Sequence, residues 1–527
     1  MLMIDPLSRL AILYGTDKFG YHDYTPNYHE LLSARRGQRL SMLEIGVGGY
    51  GDENRGGESL EVWRDYFPEA QITGIDIQKK TMDLGPRVSI MQGSQIDSAF
   101  LEAVVRERGP FDIVLDDGSH RNEHVVETFG ILYPRLKQQG VYIVEDVQTA
   151  FIPRLGGSLQ LQQPNSVGFF AEWLQRLASG SAGDVVSLER FHNIVVVHKG
   201  GADGAGPTAC THRAILARSA ADAAVPRLRG ADIHSVADLS KAINEACETG
   251  VLFVEGWPDD LGLIHDLFVQ IDHREIAVHY PDAPIHEFAR HVLGMAAFGD
   301  GLILELGDND YPSNFAFEPD HRRAVLAMRQ MEEVLADPAA HEGGLLNFAR
   351  MVMQFRDEEE LDPIIARLAS MGCTDRRYFE FAVRRLRAQG DMERLCQTYQ
   401  EGVSHYPDND HLLVGLARTH KTLGDIATSE RMLQDRLAEK NGRSRVVANA
   451  LSHFLQSQGR IEEAISVAES AVRLFPAPDR PRQLKRIVEL CRRAGLNDRA
   501  LRACEQLVAL DPSDGEASLA LEDLRAG

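Results

Sequence analysis

Two acidic pairs and one histidine carry the chemistry open to this sequence. Asp116-Asp117 end the apolar run FDIVLDD (111–117), and Glu145-Asp146 end GVYIVED (140–146). If these runs are neighbouring parallel strands, both pairs meet at one rim of a sheet. Four carboxylates that close repel one another unless a cation lies between them. A hard dication with oxygen ligands, Mg²⁺ by default, is the economical answer. Alternation along a strand turns Asp116 and Asp117 to opposite faces, so one can face an organic ligand and the other a metal. His120 follows in Asp117-Gly118-Ser119-His120. An imidazole with an ordinary pKa near ~6.5 can take a hydroxyl proton around neutral pH, and chelating that hydroxyl to a dication stabilises the developing alkoxide. Alone, His120 reads as a loop histidine capping backbone; in this constellation it reads as a general base. His124 is assigned a structural role.

A second group of residues suits a nucleoside. The run SMLEIGV (41–47) ends in Glu44-Ile45-Gly46-Val47-Gly48-Gly49, and glycines there let backbone approach a ligand without Cβ clashes. Gly46, Gly48 and Gly51 satisfy GxGxxG, which by itself fits NAD, FAD or S-adenosylmethionine. The following loop carries Asp52, Glu53 and Glu58. Carboxylates there would repel a pyrophosphate but not a sulfonium and its ammonium group, so the loop favours S-adenosylmethionine. Asp76, ending QITGIDI (71–77), can accept both ribose hydroxyls or cap a helix. Gln92 and Ser94, in Met91-Gln92-Gly93-Ser94, fall where an adenine would be contacted, although Gln-Gly-Ser is also a common turn.

These residues need a scaffold that gathers strand ends. Residues 40–200 alternate short apolar runs, including HNIVVVH (192–198), with helix-length amphipathic segments. That pattern predicts a doubly wound α/β domain with ligands at the carboxyl ends of the strands. The first domain is expected over 1–205, and a Gly-rich linker at 201–207 follows. A middle α/β region is expected over 206–330. It carries the runs VLFVEGW (251–257) and DGLILEL (300–306); GVLFVEG (250–256) can be set over GVYIVED, with DGLILELGD near HNIVVVHKG, as a degenerate partial copy or by chance. Glu255-Gly256 would replace the Glu-Asp pair, so such a copy would hold no metal. From about 375 the pattern is helical. Gly390, Gly424, Gly459 and Gly495 recur at spacings of 34, 35 and 36, and Pro407, Pro476 and Pro512 close units. A period near 34 resembles the tetratricopeptide repeat, so 331–527 is expected to be a helical-repeat domain able to bind a protein partner.

Taken together, Tyr14-Gly15-Thr16-Asp17-Lys18, Tyr24-Thr25-Pro26, LEIGVGGYGD, SLEVWRDYFPEAQITGIDI, FDIVLDDGSH and YIVEDVQT resemble one family, the macrolide-sugar and deoxysugar O-methyltransferases, over about residues 8–200. The resemblance implies a class I methyltransferase fold that uses S-adenosylmethionine and a divalent cation on a sugar hydroxyl. Carried over motif by motif, it implies metal ligands at Asp117, Glu145 and Asp146, and a catalytic base at His120. It implies donor contacts at the glycine loop, Asp76, Asp116 and Thr16. The YGTDK segment has no rationale from residue chemistry; the resemblance implies a lid over the donor. Ala150 stands where the family often has Ser, which implies an acceptor other than a macrolide.

Bulk properties narrow the alternatives. The 527 residues are 44% hydrophobic and carry a net charge of −22, which argues against a nucleic-acid partner. The basic stretch from Arg213 to Arg229 reads as a solvated face. Cys210, Cys247, Cys373, Cys396, Cys491 and Cys504 form no CxxC and read as reduced core thiols. MLMIDPLSRL lacks the pattern of a signal peptide, and no run of ~18 uncharged apolar residues is present, so a cytoplasmic protein with no membrane span is expected. The competing expectation is a non-catalytic scaffold that keeps a methyltransferase fold; intact Asp117, His120, Glu145 and Asp146 argue against it.

Overall fold

The apolar runs fold as strands because both of their faces are covered. In the computed structural model, which describes residues 4–20, 22–162, 164–201, 226–308, 322–512 and 514–526, β1 (Ser41–Ile45), β2 (Gln71–Asp76), β3 (Val88–Gln92), β4 (Ile113–Asp116) and β5 (Val141–Val144) are parallel. Helices α1 (Pro6–Tyr14), α2 (Thr25–Leu32), α3 (Glu58–Tyr66), α4 (Ser98–Arg108), α5 (Asn122–Leu132) and α6 (Ser166–Ala178) accompany them. One apolar cluster gathers Leu43, Val114, Tyr142 and Phe170; another gathers Met42, Leu115, Ile143 and Trp63. Alternate residues of each strand thus enter different cores, as a sheet covered on both sides requires. A hairpin of β6 (Val185–Phe191) and β7 (Ile194–Lys199) sets β7 antiparallel beside β5. The order is β3-β2-β1-β4-β5-β7-β6.

The sheet continues past β6. Strand β8 (Arg227–Arg229) and helix α7 (Val236–Ala246) lead into β9 (Val251–Glu255), then α8 (Gly262–Gln270), α9 (His273–His279), β10 (Val292–Phe298) and β11 (Gly301–Leu306). Strand β10 pairs antiparallel with β6, giving eleven strands among the described residues, the order ending β6-β10-β11-β9-β8. The boundary expected near 205 is therefore not a division in space: the middle strands extend the sheet of the first domain. The boundary expected near 330 also moves. Helices α10 (Arg322–Leu335) and α11 (Glu342–Phe355) pack on α1, and the compact units are Met1–Arg356 and Asp357–Gly527. The joint is close at Gly15, where an added Cβ would lie 2.1 Å from the Gly343 carbonyl carbon, and Asn347 Nδ2 donates to Gly15 O at 2.6 Å. The Gly-rich residues 202–207, Cys210 and the basic stretch before 226 lie outside the described residues.

The second unit is helical: α12 (Leu361–Ser370), α13 (Arg376–Gln389), α14 (Met392–His405), α15 (Asp410–Thr422), α16 (Ile426–Glu439), α17 (Arg445–Ser457), α18 (Ile461–Ala471), α19 (Arg480–Arg493), α20 (Asn497–Leu510) and α21 (Gly515–Ala526). The recurring glycines sit at the turns between helices, and Gly390, Gly424, Gly459 and Gly495 all have positive φ, from 71° to 90°. Asp391 and Asp425 follow two of them and cap the next helix with their side chains. The described cysteines are free, and all but Cys247 are buried.

Candidate active site

Strand register delivers the acidic rim. Asp116 on β4 pairs with Val144 on β5, so Asp117 and Glu145-Asp146 leave the sheet side by side. Asp146 takes a left-handed conformation at φ 54°, as does His120 at φ 55°. His120 Nε2 lies 3.6 Å from Asp146 Oδ2 and 3.9 Å from Asp117 Oδ1. One ligand atom from each of Asp117, His120 and Asp146 falls within 4.8 Å of the others. Oxygen and imidazole donors at that spacing fit a hard or borderline dication. Tyr24 Oη donates to Asp146 Oδ1 at 2.6 Å, and His22 Nδ1 lies 3.8 Å from the same oxygen. Burial pushes the Asp146 carboxyl up, but His22, His120 and the Tyr24 hydrogen bond outweigh it and bring it down to about 2.

Glu145 faces elsewhere. Its carboxylate accepts from Lys18 Nζ at 2.7 and 2.9 Å and from Tyr28 Oη at 2.7 Å. The same ammonium donates to Asp117 Oδ2 at 2.6 Å and lies 3.6 Å from Glu44 Oε1. Lys18 is 2% exposed. Burial disfavours its charge, yet Asp117, Glu145 and Glu44 raise its pKa well above the usual lysine value. This is the functional residue that sequence reasoning missed. The signal was present in YGTDK, but nothing local to it says that a lysine 99 residues from Asp117 will reach the rim. Long-range folding brings it there: the Lys18 carbonyl accepts the N–H groups of Tyr24 and Thr25 and wraps the segment onto α2.

Behind the rim lies the glycine loop. Gly46 has φ +93°, and a Cβ on it would meet the Asp117 carbonyl oxygen at 2.1 Å. The loop and the acidic rim therefore touch through backbone. Asp76 caps no helix: its Oδ2 accepts from Val47 N–H at 3.0 Å and its Oδ1 from Gln78 N–H at 2.7 Å, which fixes the loop against β2. Gly48 shares the loop at φ +76°. Glu44 is fully buried; desolvation pushes its carboxyl up to about 7, Lys18 pulls it down and Asp117 pushes it up again. Asp116 is driven to about 7 by burial, against the opposing pull of His120. Thr16 is buried beside Lys18, whose N–H points to its hydroxyl at 3.5 Å.

The end of β3 departs from expectation in two residues. Gln92 is exposed and donates to Ile77 O, and the Ser94 hydroxyl accepts from Ile96 N–H, so both serve the turn. Gln95 points inward instead. Its Nε2 donates to Asp116 Oδ1 at 3.2 Å, and its Oε1 accepts from Ser119 N–H at 2.8 Å, tying the Asp117–His120 loop to the segment that follows β3. His124 bonds the Ser119 hydroxyl at 2.8 Å, in keeping with a supporting role.

The order and direction of β1 to β7, with glycine loop and acidic rim at the carboxyl ends, is the class I methyltransferase fold. No family model matches the chain. Over 215 residues it is 40% identical to mycinamicin VI 2''-O-methyltransferase from Micromonospora griseorubida, covering 38% of this chain and 54% of that protein. Over 174 residues it is 42% identical to 8-demethyl-8-alpha-L-rhamnosyl tetracenomycin-C 2'-O-methyltransferase from Streptomyces olivaceus, covering 33% and 45%. A solved structure of MycE methyltransferase from the mycinamycin biosynthetic pathway, in complex with Mg, SAH and mycinamycin VI, matches at 39% identity over 39% of this chain and 57% of that one, with a TM-score of 0.36. The chain spans about half the length of the curated relatives it matches.

Proposed function

We propose that the first unit transfers a methyl group from S-adenosylmethionine to a sugar hydroxyl with the help of a divalent cation. The observation that carries this reading is the convergence of Asp117, His120 and Asp146 directly against the glycine loop. The names of the relatives support the acceptor class: they are O-methyltransferases, two of them named for rhamnosyl tetracenomycins. Asp117 and Asp146 would hold the cation, with Glu145 beside them; when bound, it supplies Lewis acidity that lowers the cost of an alkoxide. His120 removes the hydroxyl proton. The oxygen then bonds the methyl carbon as the carbon–sulfur bond breaks, giving a methyl ether, S-adenosylhomocysteine and a protonated imidazole. Glu44, Gly46, Gly48, Asp76, Asp116 and Thr16 line or support the donor side. Lys18 holds Glu145 and Asp117 in place throughout.

His120 has a second reading, because it falls in the same group of candidate ligand atoms as the two aspartates. One measurement separates the two. If it is the base, His120→Ala lowers turnover of a deoxysugar glycoside by ~10²-fold or more and leaves donor and Mg²⁺ affinity in calorimetry unchanged. Loss of Mg²⁺ affinity in step with turnover would make it a ligand. Turnover that survives EDTA would overturn the cation altogether.

The helical repeats of the second unit we assign to a protein partner. No helix of the described residues is long and apolar enough to cross a membrane.

A further inference from the structure

We propose that residues 227–306 are a second, catalytically silent copy of the half-domain at 113–199, joined to it as an internal two-fold partner. Strand pairing carries the inference. In the first half β4 is parallel to β5, β5 antiparallel to β7, and β7 antiparallel to β6. In the second, β8 is parallel to β9, β9 antiparallel to β11, and β11 antiparallel to β10. A helix precedes the second strand of each half, α5 before β5 and α7 before β9.

Register repeats as well as topology. Each hairpin closes over two residues, Phe191 opposite Ile194 and Phe298 opposite Gly301. Each carries one register shift, between Val185 and Ser187 and between Val292 and Gly294, at the same distance from its turn. Bulges are kept features of a fold rather than accidents. The halves meet through β6 and β10, where Ser187 pairs with Phe298, Glu189 with Ala296 and Phe191 with Gly294. Under the equivalence fixed by the hairpins, Ser187 matches Gly294, Glu189 matches Ala296 and Phe191 matches Phe298. Each position thus pairs with the partner that its equivalent would require, and Glu189 pairs with its own equivalent. That reciprocity is the signature of an isologous two-fold interface, here within one chain. Across it, Arg190 donates to Asp272, both fully buried, and the copy covers the β6 edge, which would otherwise be an unpaired strand.

The same equivalence explains why the copy is silent. Asp117 falls on Arg229, Gly118 on Gly230, His120 on Asp232, Glu145 on Glu255 and Asp146 on Gly256. Asp146 and Gly256 share positive φ, 54° and 76°. Where the first rim gathers acids for a cation, the second neutralises itself: Arg229 pairs with Asp232 at 2.9 Å, and Arg227 with Glu255 at 2.7 Å.

Grafting the first rim onto the second tests this in the full-length chain: Arg227→Leu, Arg229→Asp, Asp232→His and Gly256→Asp. A Cβ at Gly256 meets no atom within 4 Å, so the aspartate has room. Bound Mn²⁺ per chain is counted by electron paramagnetic resonance. The graft is expected to hold one ion more than its parent, and to keep that extra ion when Asp117→Asn and Asp146→Asn are added. Where the parent holds an ion, a folded graft, by circular dichroism, with no added ion overturns the proposal. The argument for the ion itself rests on the proposed function, but the two fail separately: a parent with no Mn²⁺ defeats the cation reading, while a gain in the graft still supports the copy. Should the graft not fold, a crystal structure of the parent chain decides. Strands 185–199 must superpose on 292–306 by a rotation near 180° with the bulges coincident; a displaced bulge overturns the duplication.

Discussion

Replacing Lys18 by methionine keeps the length of the side chain and removes its charge. In the parent, the ammonium is buried and held between Asp117 and Glu145 at 2.6 and 2.7 Å, with Glu44 at 3.6 Å. Taking one partner from a buried ion pair leaves an uncompensated charge, at a cost of about 3–5 kcal/mol. Glu145 and Glu44 are the groups left behind, and both are already pushed upward by burial. In the variant they rise further and take up protons. The folded state then binds more protons than the unfolded one above the ordinary carboxyl pKa, so the deficit must grow as pH rises. Urea unfolding followed by tryptophan fluorescence reads this cleanly, because Trp63, Trp173 and Trp257, the chain's three tryptophans, all lie in the first unit. The expected result is a loss of about 3–5 kcal/mol near neutral pH, smaller at pH 5 than at pH 8. Adding Glu145→Gln should return about 1–3 kcal/mol, the cost of one buried unsatisfied group. A loss under ~0.5 kcal/mol, the range of an ordinary surface substitution, or one independent of pH, would refute the bridging role.

Two further outcomes follow from single sites. Gly46→Ala should abolish S-adenosylmethionine binding in calorimetry and lower stability, because its Cβ would sit 2.1 Å from the Asp117 carbonyl oxygen and φ is +93°; donor affinity within twofold of the parent would separate the loop from the rim. Burial, helped by Arg274 and Arg290, pushes His273 down to about 4. A histidine kept neutral in the fold loses stability as pH falls from ~6.5 toward 4. His273→Gln should therefore be less acid-sensitive than the parent by about 2 kcal/mol at pH 5, and parallel pH profiles would count against it.

What was legible in the sequence follows physical range. Strands β1, β2, β4 and β5 show as apolar runs because both faces are buried, and their acidic ends follow from the strand boundary. Strand β6 does not show, since Glu189 and Arg190 interrupt it; their charges are met by His198 at 2.7 Å on the other arm of the hairpin and by Asp272 far along the chain. The middle region was divided from the first domain because a linker is local and sheet pairing is not. Helices α10 and α11 carry ordinary helical periodicity, and it is their packing on α1, with α11 bonded to Leu13 and Gly15, that assigns them to the first unit. At the site, Asp117, His120 and Asp146 were legible from spacing. Lys18 and Gln95 were not, because their roles exist only once the N-terminal segment and the end of β3 have closed on the rim.

The electrostatics of the rim explain how five acids share so small a space. Glu44 and Asp116 stand deepest, and burial pushes their carboxyls up to about 7. Glu145 and one oxygen of Asp117 are matched by Lys18, a cation supplied by the chain itself. The charge left unmatched by lysine is on Asp146 and the other oxygen of Asp117, and these face His120 at 3.6 and 3.9 Å. A strongly acidic Asp146, its carboxyl held at about 2, stays charged across the whole working range. The fold thus confines its residual negative charge to the side where imidazole stands, next to backbone of the glycine loop. A dication bound on that side would meet charge that the protein has not already neutralised, with the His120 imidazole beside it; bound on the Lys18 side, it would have to displace a buried ammonium.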